Sequence, residues 1–233
     1  MNLKQMLISI VIPLYNEEQT IGAVIERVQA ALKPTGLNYE IIVADDHSFD
    51  NSLMVAKMHP VRLYSLAVHG GKGMGLRAGF AKAKGDIIIT MDSDGSHRPE
   101  ELPKLIYPLL NGVADLVIGS RYLRKRNVAA KKLNVFGVKL FNLIIQMFIG
   151  VHVTDSQSGY RAMKREVLEI QHLKSCGYEI ETEMLVKTAK CRFRVLEVPI
   201  SFKQRTYGSS GVDHLHDGFR ILVSIISARL RKV

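Results

Sequence analysis

Asp86-Ile87-Ile88-Ile89-Thr90-Met91-Asp92-Ser93-Asp94 is an apolar run that stops at two carboxylates one residue apart. A short run rich in β-branched residues, without polar alternation, reads as a strand buried on both faces, as in parallel sheets. Outward from it the same unit recurs. Leu7 to Leu14, Glu40 to Ala44, Val61 to Leu66 and Asp115 to Ser120 read as four further strands. Thr20 to Leu32, Ser52 to Lys57, Gly75 to Ala83 and Pro99 to Leu110 read as the helices between them. This alternation predicts an α/β fold, a mostly parallel, Rossmann-like sheet with flanking helices. Beyond Ser120 the pattern changes to a basic stretch from Arg121 to Lys132 and an amphipathic helix at about Leu133 to Ile149. A polar loop, a helix near Glu181 to Lys190, a strand near Arg194 to Pro199 and a last helix from Asp217 complete the order.

Of the 233 residues, 47% are apolar and 23% charged, which suits one globular core and excludes a disordered or disulfide-stapled chain. Cys176 and Cys191 form no CxxC pair and read as small core residues of a reducing compartment. Lys and Arg outnumber Asp and Glu by 32 to 22, so the natural partners are anionic: nucleic acid, phosphorylated small molecules or an acidic membrane surface. The sequence carries no helix-turn-helix, zinc or RNA-recognition motif, so nucleic acid is not expected as a partner. Met6 to Tyr15 has the length of a signal-peptide core, but it holds Pro13 and runs into Asn16-Glu17-Glu18 without a cleavage site, so it reads as the first strand. Val135 to Val153 is interrupted by Gly137, Lys139, Asn142, Gln146 and Gly150 and is too polar for a membrane span. A soluble or peripheral chain is expected.

Ligands of open parallel sheets sit beyond the carboxyl ends of the strands. Those positions hold Tyr15-Asn16-Glu17, Asp45-Asp46-His47-Ser48, Asp92-Ser93-Asp94 and Arg121-Tyr122. Singly each could be a cap or a turn; four on one rim point to a site. Asp92 and Asp94 repel each other unless a cation sits between them, and a divalent cation there can hold a nucleotide diphosphate. A solvated turn ahead of Pro99 is the other reading of that pair. The stretch from Gly70 to Ala78 is not a P-loop, because Gly73 follows Lys72 where Ser or Thr is required. Gly73 to Ala78 does fit G-x-G-x-x-A, with Asp92 about twenty residues on, which keeps a dinucleotide-binding module as a distant alternative. Against that alternative, the fingerprint follows the third strand and leaves Asp94 without a role. Otherwise these glycines read as a turn, with Lys72 free to reach a phosphate.

Arg121, Arg124, Lys125, Arg126, Lys131 and Lys132 precede a helix carrying Val135, Val138, Leu140, Phe141, Ile144, Ile145, Phe148 and Ile149. That is more apolar surface than one core-facing stripe needs, and it suits partial burial among lipid headgroups. The last helix repeats the theme, with Phe219, Leu222, Val223, Ile226 and Leu230 among Arg220, Arg229, Arg231 and Lys232. Core packing accounts for about half of these side chains.

Val11-Ile12-Pro13-Leu14-Tyr15-Asn16-Glu17-Glu18, Asp45-Asp46-His47-Ser48, Asp92-Ser93-Asp94 with His97 and Pro99-Glu100, Gly119-Ser120-Arg121-Tyr122, Ser158-Gly159-Tyr160-Arg161 and Glu197-Val198-Pro199-Ile200 follow one another in a known order. Across Ile8 to Gly211 the chain resembles family 2 glycosyltransferases of the GT-A fold, in particular the dolichol-phosphate mannosyltransferase-like, or polyprenyl-phosphate, subgroup. The resemblance implies a catalytic domain over residues 1–211 and an amphipathic helix over 212–233 that contacts a membrane or a partner. It implies that Pro13, Tyr15, Asn16, Glu17, Asp45 and Asp46 hold the base and ribose of a nucleotide-diphosphate sugar, with Lys72 and Ser93 beside them. Asp92 and Asp94, with Ser96 alongside, would ligate Mg²⁺ or Mn²⁺ on the diphosphate. Arg121 and Arg205 would face the donor and acceptor phosphates, Lys131 and Lys132 would add charge for the acceptor, and Asp155 would orient acceptor or sugar.

The implied reaction is inverting sugar transfer to dolichyl or polyprenyl phosphate at the cytoplasmic membrane face, with GDP-mannose the favoured donor and UDP-glucose next. Amphipathic helices or a membrane-spanning partner protein would bring the chain to its lipid. A phosphate monoester, with a second pKa of about 6, is already largely ionised at neutral pH and needs no general base. A hydroxyl acceptor, the alternative within the family, would need one, and Asp155, Glu179, Glu181 and Glu183 are the candidates. The chain departs from the subgroup at Ser96, where Gln is common, and at Gly208-Ser209-Ser210-Gly211, where Gly-Glu-Ser-Lys is usual. It also departs near Asn134 and Val135, where a serine associated with the acceptor phosphate is replaced.

Overall fold

A computed structural model describes residues 6–123, 132–205, 207, 220–223, 225 and 227. In chain order the elements are β1 (Leu7–Leu14), α1 (Ile21–Leu32), β2 (Asn38–Asp45), α2 (Ser52–Lys57), β3 (Arg62–Ser65), α3 (Lys72–Lys82), β4 (Ile87–Thr90) and α4 (Leu102–Leu110). They continue with β5 (Leu116–Ser120), α5 (Lys132–Ile149), β6 (Arg161–Lys164), α6 (Arg165–Gln171), α7 (Ile180–Lys190) and β7 (Val195–Pro199). The seven strands form one sheet in the order β3-β2-β1-β4-β6-β5-β7. All pairs are parallel except those of β6, which runs antiparallel between β4 and β5 and sets Ala162 opposite Ile89 and Val117.

Period-2 alternation along β1 divides the core between the two faces of the sheet. Ile8, Ile10, Ile12 and Leu14 point into the layer of α1 and α4, with Ile21, Val24, Ile25 and Val28 from α1 and Leu102, Leu105, Ile106 and Leu109 from α4. Val11 points the other way, with Ile42, Ile88 and Ile118, against Leu76 and Phe80 of α3, Ile145 of α5 and Met184 and Leu185 of α7. Ile221 and Ile225 of the C-terminal segment join this second layer, and the described residues around them are helical. Of the apolar residues expected on one face of the last helix, Leu222 is half-buried and Val223 exposed, and Phe219, Ile226 and Leu230 lie outside the described residues.

Two expectations need correction. The stretch read as a polar loop before α7 contains β6 and α6. Four residues, Arg-Ala-Met-Lys, give too short a pattern to read, and the fully buried Arg161 disguises the strand. Its guanidinium donates to the carbonyls of Ser158, Ser156 and Glu181, so burial is balanced by three hydrogen bonds. The glycine turn after β3 is likewise shorter than expected. The helix begins at Lys72, because Gly73, Gly75 and Gly79 let α3 lie close against its neighbours; a Cβ on Gly73 would stand 2.6 Å from the backbone of Cys176. Among the described residues no helix is long and apolar enough to cross a membrane.

Candidate active site

The chain leaves β1 toward β2 and β3 on one side and returns to β4 on the other, so a crevice opens where the ends of β1 and β4 diverge. Short polar residues tie its walls together. The Asn16 amide donates to Ser48 Oγ at 3.0 Å, Glu17 N to Ser52 Oγ at 2.7 Å, and Phe49 N to Asn16 Oδ1 at 3.0 Å. Asn16 does this with φ of 52°, a left-handed conformation that Asn tolerates better than most residues. Asp45 accepts from Ser48 N and Ser65 Oγ, while Asp46 accepts from Gly70 N and Gly71 N at 2.7 Å each and meets His69 Nδ1 at 2.9 Å. Above Asp46, Tyr15 stacks on His69 with centroids 4.1 Å apart and meets Phe49 edge-on. These partly exposed rings make a shelf on which a planar base can stack. Pro13 lies at the end of β1 opposite Ala44.

Asp46 thus holds the glycine turn that aims Lys72. The Lys72 ammonium lies 2.7 Å from Asp92 Oδ1 and 2.7 Å from Glu181 Oε1. Burial alone would lower its pKa, but the two carboxylates more than offset this and raise it. For Asp92 burial works upward, and Lys72, His97 and Arg121 overcome it, holding the carboxyl at about 2. Gly159 closes the cluster, since a Cβ there would stand 2.8 Å from Lys72 Nζ and 3.0 Å from each Asp92 oxygen.

Asp94 accepts the Ser96 amide on Oδ1 at 2.9 Å, and Thr20 Oγ1 donates to the Ser93 carbonyl at 2.8 Å. Ser93 and Ser96 are buried. His97 accepts the Asp92 amide on Nδ1 at 3.3 Å and lies among Tyr160 and Phe202; burial lowers its pKa. With Asp92 Oδ1 engaged by Lys72 and Asp94 Oδ1 by Ser96, each carboxylate keeps its other oxygen for a ligand. Among the described residues no group of three or more His, Cys, Asp or Glu could hold a metal. Two hard oxygens with room for phosphate and water fit a Mg²⁺-like ion, which is commonly held by one or two carboxylates plus substrate phosphates.

On the β5 side, Asp155 is fully buried and accepts Arg121 N at 3.0 Å, Nε at 2.7 Å and Nη2 at 2.8 Å. The loop carrying it is held from two directions. Glu197 accepts the amides of Thr154 and Asp155, while Asn142 of α5 donates to the Thr154 carbonyl and accepts the Ser156 amide. The Arg121 guanidinium also lies 5.2 Å above the Phe202 ring. Arg205 pairs with Glu17 rather than standing free; the Glu17 pKa is raised by burial, with Arg205 opposing and Asp94 reinforcing the shift. The structure therefore gathers Pro13, Tyr15, Asn16, Glu17, Asp45, Asp46, Lys72, Asp92, Ser93, Asp94 and Ser96 around one crevice, with Arg121 close enough to Asp92 to act on its charge. Lys132 opens α5, whereas Lys131, residues 208–211 and most of 212–233 lie outside the described residues.

The sequence profile described as "Glycosyl transferase family 2" matches residues 9–170, more than half of the chain, from within β1 to the end of α6 but for its last residue. The chain belongs to glycosyl transferase family 2. This family 2 glycosyltransferase is 35% identical over 213 residues to a dolichol-phosphate mannosyltransferase of Pyrococcus furiosus, covering 88% of this chain and 59% of that protein. It is 29% identical over 254 residues to a UDP-N-acetylglucosamine–dolichyl-phosphate N-acetylglucosaminyltransferase of Methanococcus voltae, covering 97% and 98% of the two chains. In fold it matches glucosyl-3-phosphoglycerate synthase of Mycobacterium tuberculosis, crystallised with Mn²⁺, UDP and phosphoglyceric acid, with a TM-score of 0.77 and 25% identity. That match covers 98% of this chain and 80% of the other. The fold is GT-A.

In the sequence of this family 2 glycosyltransferase Glu197 shows as part of the Glu197-Val198-Pro199-Ile200 motif and Asn142 as a polar break in an apolar stretch, but neither showed a role, and Glu181 did not stand out from its neighbours. Glu197 sits in β7 and Asn142 on α5, and each works only by reaching the loop that carries Asp155. Glu181 shares the first turn of α7 with Glu183, where acidic residues are ordinary partners of the helix dipole. The structure separates them. Glu183 accepts the Lys174 and Ser175 amides and pairs with Lys187, and Glu179 accepts the Cys176 and Gly177 amides. Glu181 alone of the three meets Lys72.

Proposed function

We propose that this glycosyltransferase catalyses inverting, metal-dependent transfer of a sugar from a nucleoside-diphosphate donor to dolichyl or polyprenyl phosphate, at the cytoplasmic face of a membrane. The observation that carries this reading is the paired carboxylates Asp92 and Asp94 with Lys72 and Arg121 beside them at the sheet's switch point. GDP-mannose is the favoured donor and UDP-glucose the next. The two relatives named above carry different sugars in their names and the same class of lipid phosphate, which supports the acceptor more strongly than the sugar.

Asp92 and Asp94, with Ser96 beside them, would hold Mg²⁺ or Mn²⁺, and that ion when bound supplies positive charge to the diphosphate. Tyr15, His69 and the loops held by Asp45 and Asp46 would receive base and ribose. A phosphate oxygen of the acceptor attacks the anomeric carbon from the face opposite the leaving group. The bond from that carbon to the diphosphate breaks, and the nucleoside diphosphate departs with the electron pair. Lys72 and Arg121 hold fixed positive charge where that negative charge develops. Their own carboxylate partners suit this acceptor: Asp92 is held by Lys72 and Asp155 by Arg121, so both are engaged as anions. An acceptor phosphate that arrives ionised asks neither to take a proton.

Leu140, Leu143 and Met147 form an exposed apolar stripe on α5, opposite the buried Ile145 and Asn142. The basic stretch Arg121 to Lys132 precedes α5 in the sequence, and an apolar stripe following a cationic segment suits an anionic bilayer. Transfer of radiolabel from GDP-mannose and from UDP-glucose to dolichyl phosphate with Mn²⁺, counted in the organic phase, tests the reaction. Label in the organic phase is expected, and lost on Asp94→Ala. Its absence with both donors, in protein that binds nucleotide, overturns the lipid acceptor; undiminished transfer by Asp94→Ala overturns the metal role.

A further inference from the structure

The loop between α6 and α7 is held by two glutamates, and they take their cations from different places. Glu183 accepts the Lys174 and Ser175 amides and pairs with Lys187 of its own helix. Glu179 accepts the Cys176 amide at 3.2 Å and the Gly177 amide at 3.1 Å on Oε1. The same oxygen accepts Arg220 Nη2 at 2.8 Å, from a residue 41 positions along the chain. Glu179 is buried, and its Oε2 has no hydrogen-bond partner among the described residues, so its charge rests on Arg220. The guanidinium lies directly over the loop, since a Cβ on Gly177 would stand 3.3 Å from Arg220 Cζ. Ile221 and Ile225 anchor Arg220 by burying their side chains in the second core layer.

The far side of this loop is the wall against which α3 starts. The Cys176 carbonyl accepts the Met74 amide at 3.1 Å, and Arg77 Nη1 donates to the Lys174 carbonyl at 3.3 Å. Cβ atoms on Gly71 and Gly73 would stand 2.7 and 2.6 Å from the Cys176 backbone. Backbone therefore rests on backbone there, and no side chain absorbs a shift of the loop. Lys72 lies between those two glycines, and the Tyr178 ring, from the same loop, lies 5.7 Å from its ammonium.

We infer that Arg220 is a positioning residue for sugar transfer: through Glu179 and the loop before α7 it fixes the first turn of α3, and with it Lys72. This rests on the donor-site reading above, in which Lys72 meets the charge of the nucleoside diphosphate. Without Arg220, Glu179 keeps two amides and a buried charge that draws water in, so the loop leaves Gly71 and Gly73 and Lys72 loses its aim. A misplacement of about 1 Å in a reacting site can cost about a hundredfold in rate. The C-terminal segment is thereby tied to the donor side of the crevice.

Hydrogen–deuterium exchange of the full chain reads the link in the free protein. Calorimetric titration with UDP-glucose and with GDP-mannose, Mn²⁺ present, reads its effect on the donor site. Arg220→Gln is expected to speed exchange of the Met74, Cys176 and Gly177 amides by roughly tenfold or more while β1 and β4 keep their protection. The same variant should bind nucleotide sugar about fivefold or more weakly, the worth of part of one hydrogen bond to a charged group. Arg220→Lys, which still offers a charged donor to Glu179, should restore both readings to within about threefold. Arg220→Gln combined with Glu179→Gln should be no worse than the poorer single variant. Unchanged Met74 exchange in Arg220→Gln overturns the inference, as does unchanged nucleotide-sugar affinity beside faster exchange. Loss of protection throughout the sheet would make Arg220 a purely structural residue and overturns it too. Should Arg220→Gln fail to fold, Glu179→Gln carries the same expectations and the same refutations. Failure of wild type to bind either nucleotide sugar overturns the donor-site reading and the inference with it. Normal binding by wild type, with no effect of either substitution, overturns the inference alone.

Discussion

Neutralising Asp155 should disable this enzyme by releasing Arg121, and the size of the effect follows from the pair's geometry. The Asp155 carboxylate is fully buried and takes three donors from Arg121, at 3.0, 2.7 and 2.8 Å. Asn keeps the shape, retains at most two of these bonds, and sets an amide NH₂ against a guanidinium N–H. Removing one partner of a buried pair costs about 3–5 kcal/mol. The Arg121 side chain is 21% exposed and can turn toward water, which favours the lower end, about 3 kcal/mol. In a chain of this size each kcal/mol moves the melting midpoint by about 2–4 °C, so a fall of roughly 6–12 °C is expected. Loss of one preorganised donor at a developing charge costs about 10²–10³ in kcat. Arg121→Gln should behave alike, and the double variant should be no worse than the poorer single one. Thermal unfolding of the four proteins yields the coupling energy, and radiolabel transfer yields the rates. A coupling below about 0.5 kcal/mol, or undiminished transfer by Asp155→Asn, would refute the reasoning.

Gly159→Ala should cost only about 1 kcal/mol of stability, because the atoms its Cβ meets are the movable ends of Lys72 and Asp92. Nucleotide-sugar affinity should still fall tenfold or more in calorimetry, and retention of full affinity would show that the Lys72 position is unimportant. Asp92 titrates at about 2 against an ordinary 3.8, so its stabilisation is full above the ordinary value and is lost as pH falls toward 2. In metal-free protein this is worth about 2 kcal/mol, and urea unfolding between pH 5 and 2 should show a shallower decline for Asp92→Asn. Asp115, held low by Arg194 and Lys164, declines in the same direction in both proteins, so identical slopes would show that Asp92 is not depressed. Replacing Leu143 and Met147 together by Asp should abolish cosedimentation with anionic vesicles, since each buried apolar side chain contributes about 1.5–3 kcal/mol, and leave the melting midpoint nearly unchanged. Unaltered binding would move the membrane face elsewhere.

The parallel half of the fold was legible because β1, β4 and β5 are largely apolar runs and α1 and α4 repeat at 3.6 residues. Ile21, Val24, Ile25, Val28 and Leu32 are the buried stripe of α1, as their spacing demands. The rim was legible for the same reason: polar residues that end a buried strand sit at the sheet's edge wherever the strand sits in the order. Asp92 and Asp94 could therefore be placed from one stretch of sequence. What sequence could not show is which rim residue meets which. Arg121 and Asp155 are 34 positions apart, Arg205 and Glu17 are 188 apart, and their pairing depends on strand order. β6 escaped because a four-residue antiparallel strand carries too few side chains to show a period, and its buried arginine reads as surface.

Sequence by itself thus determined the local terms: strand and helix periods, the carboxylates that end β4, the excess of positive charge and the motifs of the family. Only the tertiary structure decided the partners of each charge. Asp155 proved to be the anchor of Arg121, and three similar glutamates at the start of α7, Glu179 just before it and Glu181 and Glu183 in its first turn, divided into two that cap a loop and one that faces Lys72. The physical reason is that a hydrophobic period depends on neighbours along the chain. The state of a buried charge depends on whatever the fold brings within a few ångströms of it.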